Sequence, residues 1–179
     1  MKILTIILAF WAAQALPCIT ESVSGTDLRT GKSVVIDPKS NKVSVFVFLS
    51  AKCPCSKSHE ETLAKLAKDF PEVVFAGVNS NADEEESLVT EHFRNSEMKF
   101  PVIRDKDAKI ASLFGALKTP HAFIVGPAGQ CWFNGGVDDT KDATKASKHY
   151  LREALNDLQK GKEPKEKTVR TLGCIIKRS

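Results

Sequence analysis

The sequence predicts an α/β domain: a central mixed sheet, largely parallel, flanked by helices, with an N-terminal hairpin and a C-terminal extension. Three observations predict it. Val43–Leu49 is a run dominated by β-branched and aromatic residues, the composition of a strand covered on both faces. A helical-period segment follows at once, Ser56 to Phe70, with Leu63, Leu66, Ala67 and Phe70 on one face and Pro71 ending it. Beyond it strands and helices alternate, then two strands come in succession. With 179 residues, 42% hydrophobic and 27% charged, the chain suits one domain, taken as residues 16–161, with extensions at both ends.

Residues 1–15 read as a secretory signal peptide: Lys2, a short apolar core Ile3–Trp11, and the A-x-A site Ala13-Gln14-Ala15. That core is shorter than the roughly 20 residues a membrane span requires, so no transmembrane segment is expected in the mature chain. Lipidation at Cys18 is the rival reading, but Ala15-Leu16-Pro17 makes a poor lipobox. Turn-rich Thr26–Gly31 and Asp37–Asn41 flank a short strand, Lys32–Ile36. Val73–Asn79 reads as a second buried strand. Asp83 and Glu86 form a capping box for a helix through Leu88, Val89, His92 and Phe93. Phe100–Arg104 is extended, and Asp107–Phe114 is a short helix closed by Gly115. His121–Val125, the turn Gly126–Gly129 and Gln130–Phe133 make a hairpin. Asp142–Lys160 is predicted as one amphipathic helix, with Ala146, Tyr150, Leu151, Ala154, Leu155 and Leu158 inward and Gly161 at its end. Residues 162–179 are a basic tail with one apolar patch, Leu172–Ile176.

The net charge of +4 and the lack of an aromatic-interleaved basic face argue against nucleic-acid binding. The cysteines carry more. Export permits disulfides, and five cysteines (Cys18, Cys53, Cys55, Cys131, Cys174) cannot all pair within one chain. Cys53 falls at a strand-to-helix junction, followed by Pro54 and flanked by Lys52 and Lys57. Helix-start amides and nearby cations favour thiolate there, the nucleophilic form; the bland alternative is a buried inert thiol. Cys55 makes Cys-x-Cys with it, a pairing that would close a small ring; it is either a resolving thiol or a packing residue. Cys131, beside Trp132 and Phe133, reads as core, while Cys18 is undecided. Cys53 and Cys55, with His59 or Cys174, could hold a soft ion such as Cu(I). His59 reads better as a solvent-facing helix residue, and Glu84–Glu86 and Asp138-Asp139 as helix-start and loop acids. No closed zinc pattern exists, and no resident metal or other cofactor is required by these residues.

The strand entering Cys53-Pro54-Cys55-Ser56, then Val78–Asn81, Pro101–Asp105, Thr119-Pro120 and the tail Thr171–Ile176 together resemble the redoxin branch of thioredoxin-like proteins, which includes the alkyl hydroperoxide reductase/thiol-specific antioxidant group. The tail is similar to the Gly-Cys ending of exported bacterial redoxins with a Cys-Pro motif. This resemblance implies a thioredoxin-like fold and a periplasmic thiol–disulfide oxidoreductase. Cys53 takes the nucleophile's position. Cys174, docked near the active site, or Cys55 would resolve the mixed disulfide. Pro120 would be cis and face Cys53, the Thr119 backbone would pair with an extended substrate, and Pro54 and Pro120 would complete the substrate-binding set. Partners would be a protein or small-molecule disulfide or thiol and a second redox protein. Ser56 stands where thioredoxins have their second cysteine. The peroxidase members' pattern asks for proline at 46 and threonine at 50, where this chain has Phe46 and Ser50. Thiol peroxidase is therefore an alternative, as is a Cu(I)-binding redoxin. Arg104, a candidate peroxide-polarising group, reads better as a solvated charge.

Overall fold

The buried run beginning at Val43 becomes the middle strand of a five-stranded mixed sheet. A computed structural model describes residues 18–178 apart from 20, 39 and 41, so the predicted signal peptide lies outside the described residues. In chain order the elements are β1 (Val23–Thr26), β2 (Ser33–Ile36), β3 (Ser44–Leu49), α1 (Pro54–Ser58), α2 (Glu60–Asp69), β4 (Val74–Asn79), α3 (Glu86–Asn95) and β5 (Val102–Arg104). Then come α4 (Lys109–Phe114), β6 (Lys118–Thr119), β7 (His121–Val125), β8 (Cys131–Gly135), a 3₁₀ turn at Ala143–Lys145, α5 (Tyr150–Gln159) and β9 (Cys174–Ile175). The main sheet runs β5-β4-β3-β7-β8. Its β3–β4 and β4–β5 pairs are parallel, and β3–β7 and β7–β8 antiparallel. This is a thioredoxin-like α/β fold. The predicted N-terminal hairpin is present as β1 paired with β2.

Every residue of β3 is buried, and its alternation assigns them to two cores. Val45, Val47 and Leu49 pack with Leu63 and Leu66 of α2, Val89 and Phe93 of α3, and Leu151 and Leu155 of α5. Phe46 and Phe48 point the other way, into a cluster with Phe114 of α4, Phe123 of β7 and Ile176 beyond β9. Four of those rings meet at centroid distances of 5.0 to 5.7 Å, tilted or edge-on. The sheet is covered on both faces, and the carboxyl end of β3 delivers Cys53.

Several predicted elements differ in detail. The helix expected from Ser56 to Phe70 is two helices broken at His59, whose backbone lies at ψ −2°. The capping box does not form: α3 begins at Glu86 behind Glu85, with no side-chain cap. The helix expected from Asp107 starts at Lys109, because Asp105 accepts the amides of Ile110 and Ala111 at 3.1 and 2.9 Å. Gly115 closes it at φ 66°, as expected of a left-handed stop. The long final helix is shortened to α5. Ahead of it, Asp142 accepts from the Thr144 amide and Asp139 from the Ser147 amide and hydroxyl, local bonds that compete with helix.

Candidate active site

Cys53 is the N-cap of α1, in extended conformation, with Pro54 at the first helical position, where its missing N–H costs nothing. A buried polar chain fixes the loop that presents it. Glu84, 3% exposed, accepts from the Ser50 hydroxyl at 2.5 Å, the Lys52 amide at 2.8 Å and the Asn79 side-chain amide at 2.6 Å. The Ser50 oxygen in turn accepts the Cys53 amide at 3.0 Å, and the Ser50 amide donates to the Ser56 hydroxyl at 3.0 Å. The Cys53 backbone is thereby tied through one serine to a buried carboxylate. The Ser50 hydroxyl, standing at the position of the peroxidase threonine, is committed to that carboxylate.

Opposite Cys53, the Thr119–Pro120 bond is cis, and the Cys53 sulfur lies 3.2 Å from the Thr119 carbonyl oxygen. β6 pairs antiparallel with β9, placing Thr119 opposite Cys174. The Cα atoms of Cys53 and Cys174 are 6.0 Å apart, within a disulfide's ordinary span, and their sulfurs lie at disulfide-forming separation. Several bonds hold the tail there. The Ile176 amide donates to Leu117 at 3.0 Å, the Ala82 amide to Lys177 at 2.8 Å, and the Lys177 amide to the Asn81 side chain at 2.9 Å. Arg178 donates to the Ala116 carbonyl at 2.7 Å. Gly173, at φ +154°, lies so close to Thr119 that a Cβ would collide with that residue's carbonyl oxygen. Only glycine permits this approach.

All six predicted site residues, Cys53, Pro54, Cys55, Thr119, Pro120 and Cys174, therefore converge. Cys55 is a free, half-buried thiol, and its sulfur with those of Cys53 and Cys174 forms a group within 4.8 Å of one another. That trio is the one cluster able to hold a metal ion among the described residues.

Three readings of individual residues are corrected. His59 is not solvent-facing: it is 1% exposed, its Nδ1 lies 2.7 Å from the Cys55 carbonyl, and its Nε2 lies 3.6 Å from buried Asp138. The break at His59 turns the ring inward, and Asp138 also contacts His149 at 2.9 Å. Arg104 is not a solvated charge, since it donates to Glu86, the Asn79 side chain and the Asn81 and Glu84 carbonyls. Cys131 is not simply core packing: it lies at disulfide-forming distance from Cys18, with Cα atoms 4.5 Å apart. Sequence reasoning read Glu84 and Asp138 only as helix-start and loop acids and gave Asn79 no role of its own within Val78–Asn81, so their part in the buried network went unread. Glu84 sits in a run of four acids, Asp83–Glu86, and nothing in the run distinguishes the one that turns inward.

His121, next to Pro120, is buried against Phe123 with ring centroids 4.4 Å apart. Burial, then the charge of Lys118, push its pKa down to about 4.

Residues 14–131 match the family model described as the AhpC/TSA family. Among solved structures, the chain is similar to an uncharacterised conserved protein from Geobacillus kaustophilus, with TM-score 0.81, 24% identity and 92% of each chain covered. It is similar also to a hypothetical protein from Sinorhizobium meliloti, with TM-score 0.80, 24% identity, and 93% of this chain and 96% of that one covered. A secreted Mycobacterium tuberculosis disulfide oxidoreductase homologous to DsbE of E. coli aligns with TM-score 0.52 and 19% identity over 61% of this chain and 79% of that one. These three are likenesses of fold. No curated protein matches.

Proposed function

The chain belongs to the AhpC/TSA family, and from that premise we propose that it is an exported thiol–disulfide oxidoreductase in which Cys53 attacks and Cys174 resolves. The observation that supports this reading is the β6–β9 pairing, which seats Cys174 opposite Thr119 and its sulfur against that of Cys53. In the forward direction the Cys53 thiolate attacks one sulfur of a substrate disulfide. A mixed disulfide forms and one substrate thiolate leaves. The Cys174 thiolate then attacks the Cys53 sulfur, the second substrate thiolate leaves, and both take up protons from water. The substrate gains two electrons, and the Cys53–Cys174 pair loses them. A dithiol partner running the same exchange in reverse restores the pair.

Cys55 stands outside this couple. It is two residues from Cys53, whereas Cys174 arrives on its own strand with an ordinary span between α-carbons. Export rests on the A-x-A site at Ala13–Ala15 and a periplasmic setting follows from it; a secreted protein among the fold relatives agrees.

The test is mass mapping of the oxidised protein joined to turnover of a model disulfide with dithiothreitol as donor. Cys53–Cys174 is expected as the major active-site linkage. Cys53→Ser should abolish turnover, and Cys174→Ser should accumulate mixed disulfide on Cys53. A major Cys53–Cys55 linkage, or full activity of Cys53→Ser, overturns the proposal.

A further inference from the structure

Cys55 is the thiol that the exchange mechanism leaves unused, yet its sulfur belongs to one group with the two that the mechanism uses. We propose that the reduced protein binds one Cu(I) ion through the three thiolates of Cys53, Cys55 and Cys174, and that oxidation of the Cys53–Cys174 pair closes the site. This goes beyond disulfide exchange and does not require that Cys55 take part in it.

The geometry suits the ion. Three sulfurs around one metal, each at a bond length of about 2.3 Å, stand about 4 Å apart. The trio is already within 4.8 Å, so once Cys53 and Cys174 are reduced the sulfurs need to move by only about an ångström or two. The donors are all soft thiolates, the set that selects Cu(I). A structural Zn²⁺ would want a fourth ligand, and none of the described His, Cys, Asp or Glu residues joins the three. The imidazole one turn from Cys55 is turned away, its Nδ1 against the Cys55 carbonyl and its Nε2 towards Asp138. Cys53 is 2% exposed, which disfavours a water in the fourth place. The ligands come from ordered elements: Cys53 and Cys55 from the start of α1, Cys174 from a strand paired with β6.

The redox balance is simple. A dithiol reductant gives two electrons and two protons to the Cys53–Cys174 disulfide and itself becomes a disulfide. Cu(I) then displaces the thiol protons into solvent, with no electron transferred to or from the metal. A disulfide oxidant withdraws two electrons from Cys53 and Cys174, removes two of three ligands and releases the ion.

The experiment is an anaerobic titration of the full-length chain, reduced by dithiothreitol and then freed of it, against the chromophoric Cu(I)–bicinchoninate complex. Reduced protein should withdraw one equivalent of Cu(I), and oxidised protein less than about a tenth of that. Cys55→Ser should weaken binding at least about tenfold, a loss reached in metal sites even when an outer-shell partner is removed. X-ray absorption of the wild-type complex, which needs no variant to fold, should give three sulfur neighbours. Equal uptake by the oxidised form, two sulfur neighbours, or unchanged binding by Cys55→Ser overturns the proposal. So does tighter uptake of Zn²⁺ with a water ligand. Because the readout is metal occupancy, loss of disulfide turnover in the first experiment leaves this result independently readable.

Discussion

Glu84 decides whether Cys53 is held or loose. Its carboxylate takes three donors (the Ser50 hydroxyl, the Lys52 amide and the Asn79 side chain), and removing it costs each an acceptor, although the Asn79 amide keeps the Leu49 carbonyl at 3.2 Å and the Ser50 oxygen keeps the Cys53 amide at 3.0 Å. Glu84→Ala is expected to cost about 2–3 kcal/mol in denaturant unfolding, since an unsatisfied buried group costs about 1–3 kcal/mol and two of the three donors keep a second partner. A cost below about 1 kcal/mol would mean that the chain of bonds to Ser50 does not fix the loop. His121 supplies a pH dependence. In the folded chain it stays neutral down to pH about 4, whereas unfolded histidine protonates near 6.5. The unfolded state binds the proton first, so stability is complete above pH 6.5 and declines as pH falls from 6.5 towards 4, by at most about 3 kcal/mol. His121→Phe should flatten that part of the profile, read as Tm against pH. Cys53 was legible in the sequence because a strand composition ran straight into it. Glu84 and Asp138 were not, since a carboxylate's burial is decided by neighbours from distant segments.

The central strand was legible for a simple reason. A strand buried on both faces has no polar alternation to confuse it, and β3 occupies all but the first residue of the run that predicted it. Phe48 at its heart, fully buried between Phe114 and Phe123, should cost about 3–5 kcal/mol when truncated to alanine. Helix limits were less legible, because local hydrogen bonds at Asp139, Asp142 and Asp105 moved them. The two-residue strand β9 carries the sharpest expectation. Gly173→Ala places a methyl group against the Thr119 carbonyl, so β9 should separate from β6. The Cys53–Cys174 fraction in air-oxidised protein should fall severalfold while far-UV circular dichroism stays near wild type. An unchanged fraction would show that the tail reaches Cys53 without the strand.

Two pairs of cysteines, separated by 113 and 121 residues of sequence, lie at disulfide-forming distance in the folded molecule. Spacing alone does not reveal such pairs, because proximity depends on the completed sheet; Cys131 therefore read as core and Cys18 as undecided. The first pairing anchors the N-terminal segment, where the Cys18 amide also donates to Gly129 at 2.8 Å. Closing so long a loop restricts the unfolded chain, by about 4–5 kcal/mol in the chain-entropy model. Cys131→Ser should lower Tm accordingly, while dithiothreitol should lower the Tm of wild type and leave that variant's less affected. Equal sensitivity of both proteins to reductant would rule out a stabilising Cys18–Cys131 bond.

The distance in sequence between Cys53 and Cys174 also sets an order of events. A chain made from its amino terminus presents Cys18, Cys53, Cys55 and Cys131 before Cys174 exists. An oxidant that meets an unfinished chain finds Cys53 with none but non-native partners. In the proposed exchange, the Cys53–Cys174 couple is therefore the last part of this protein to become available, and a chain oxidised too early would have to exchange its bonds before it could work.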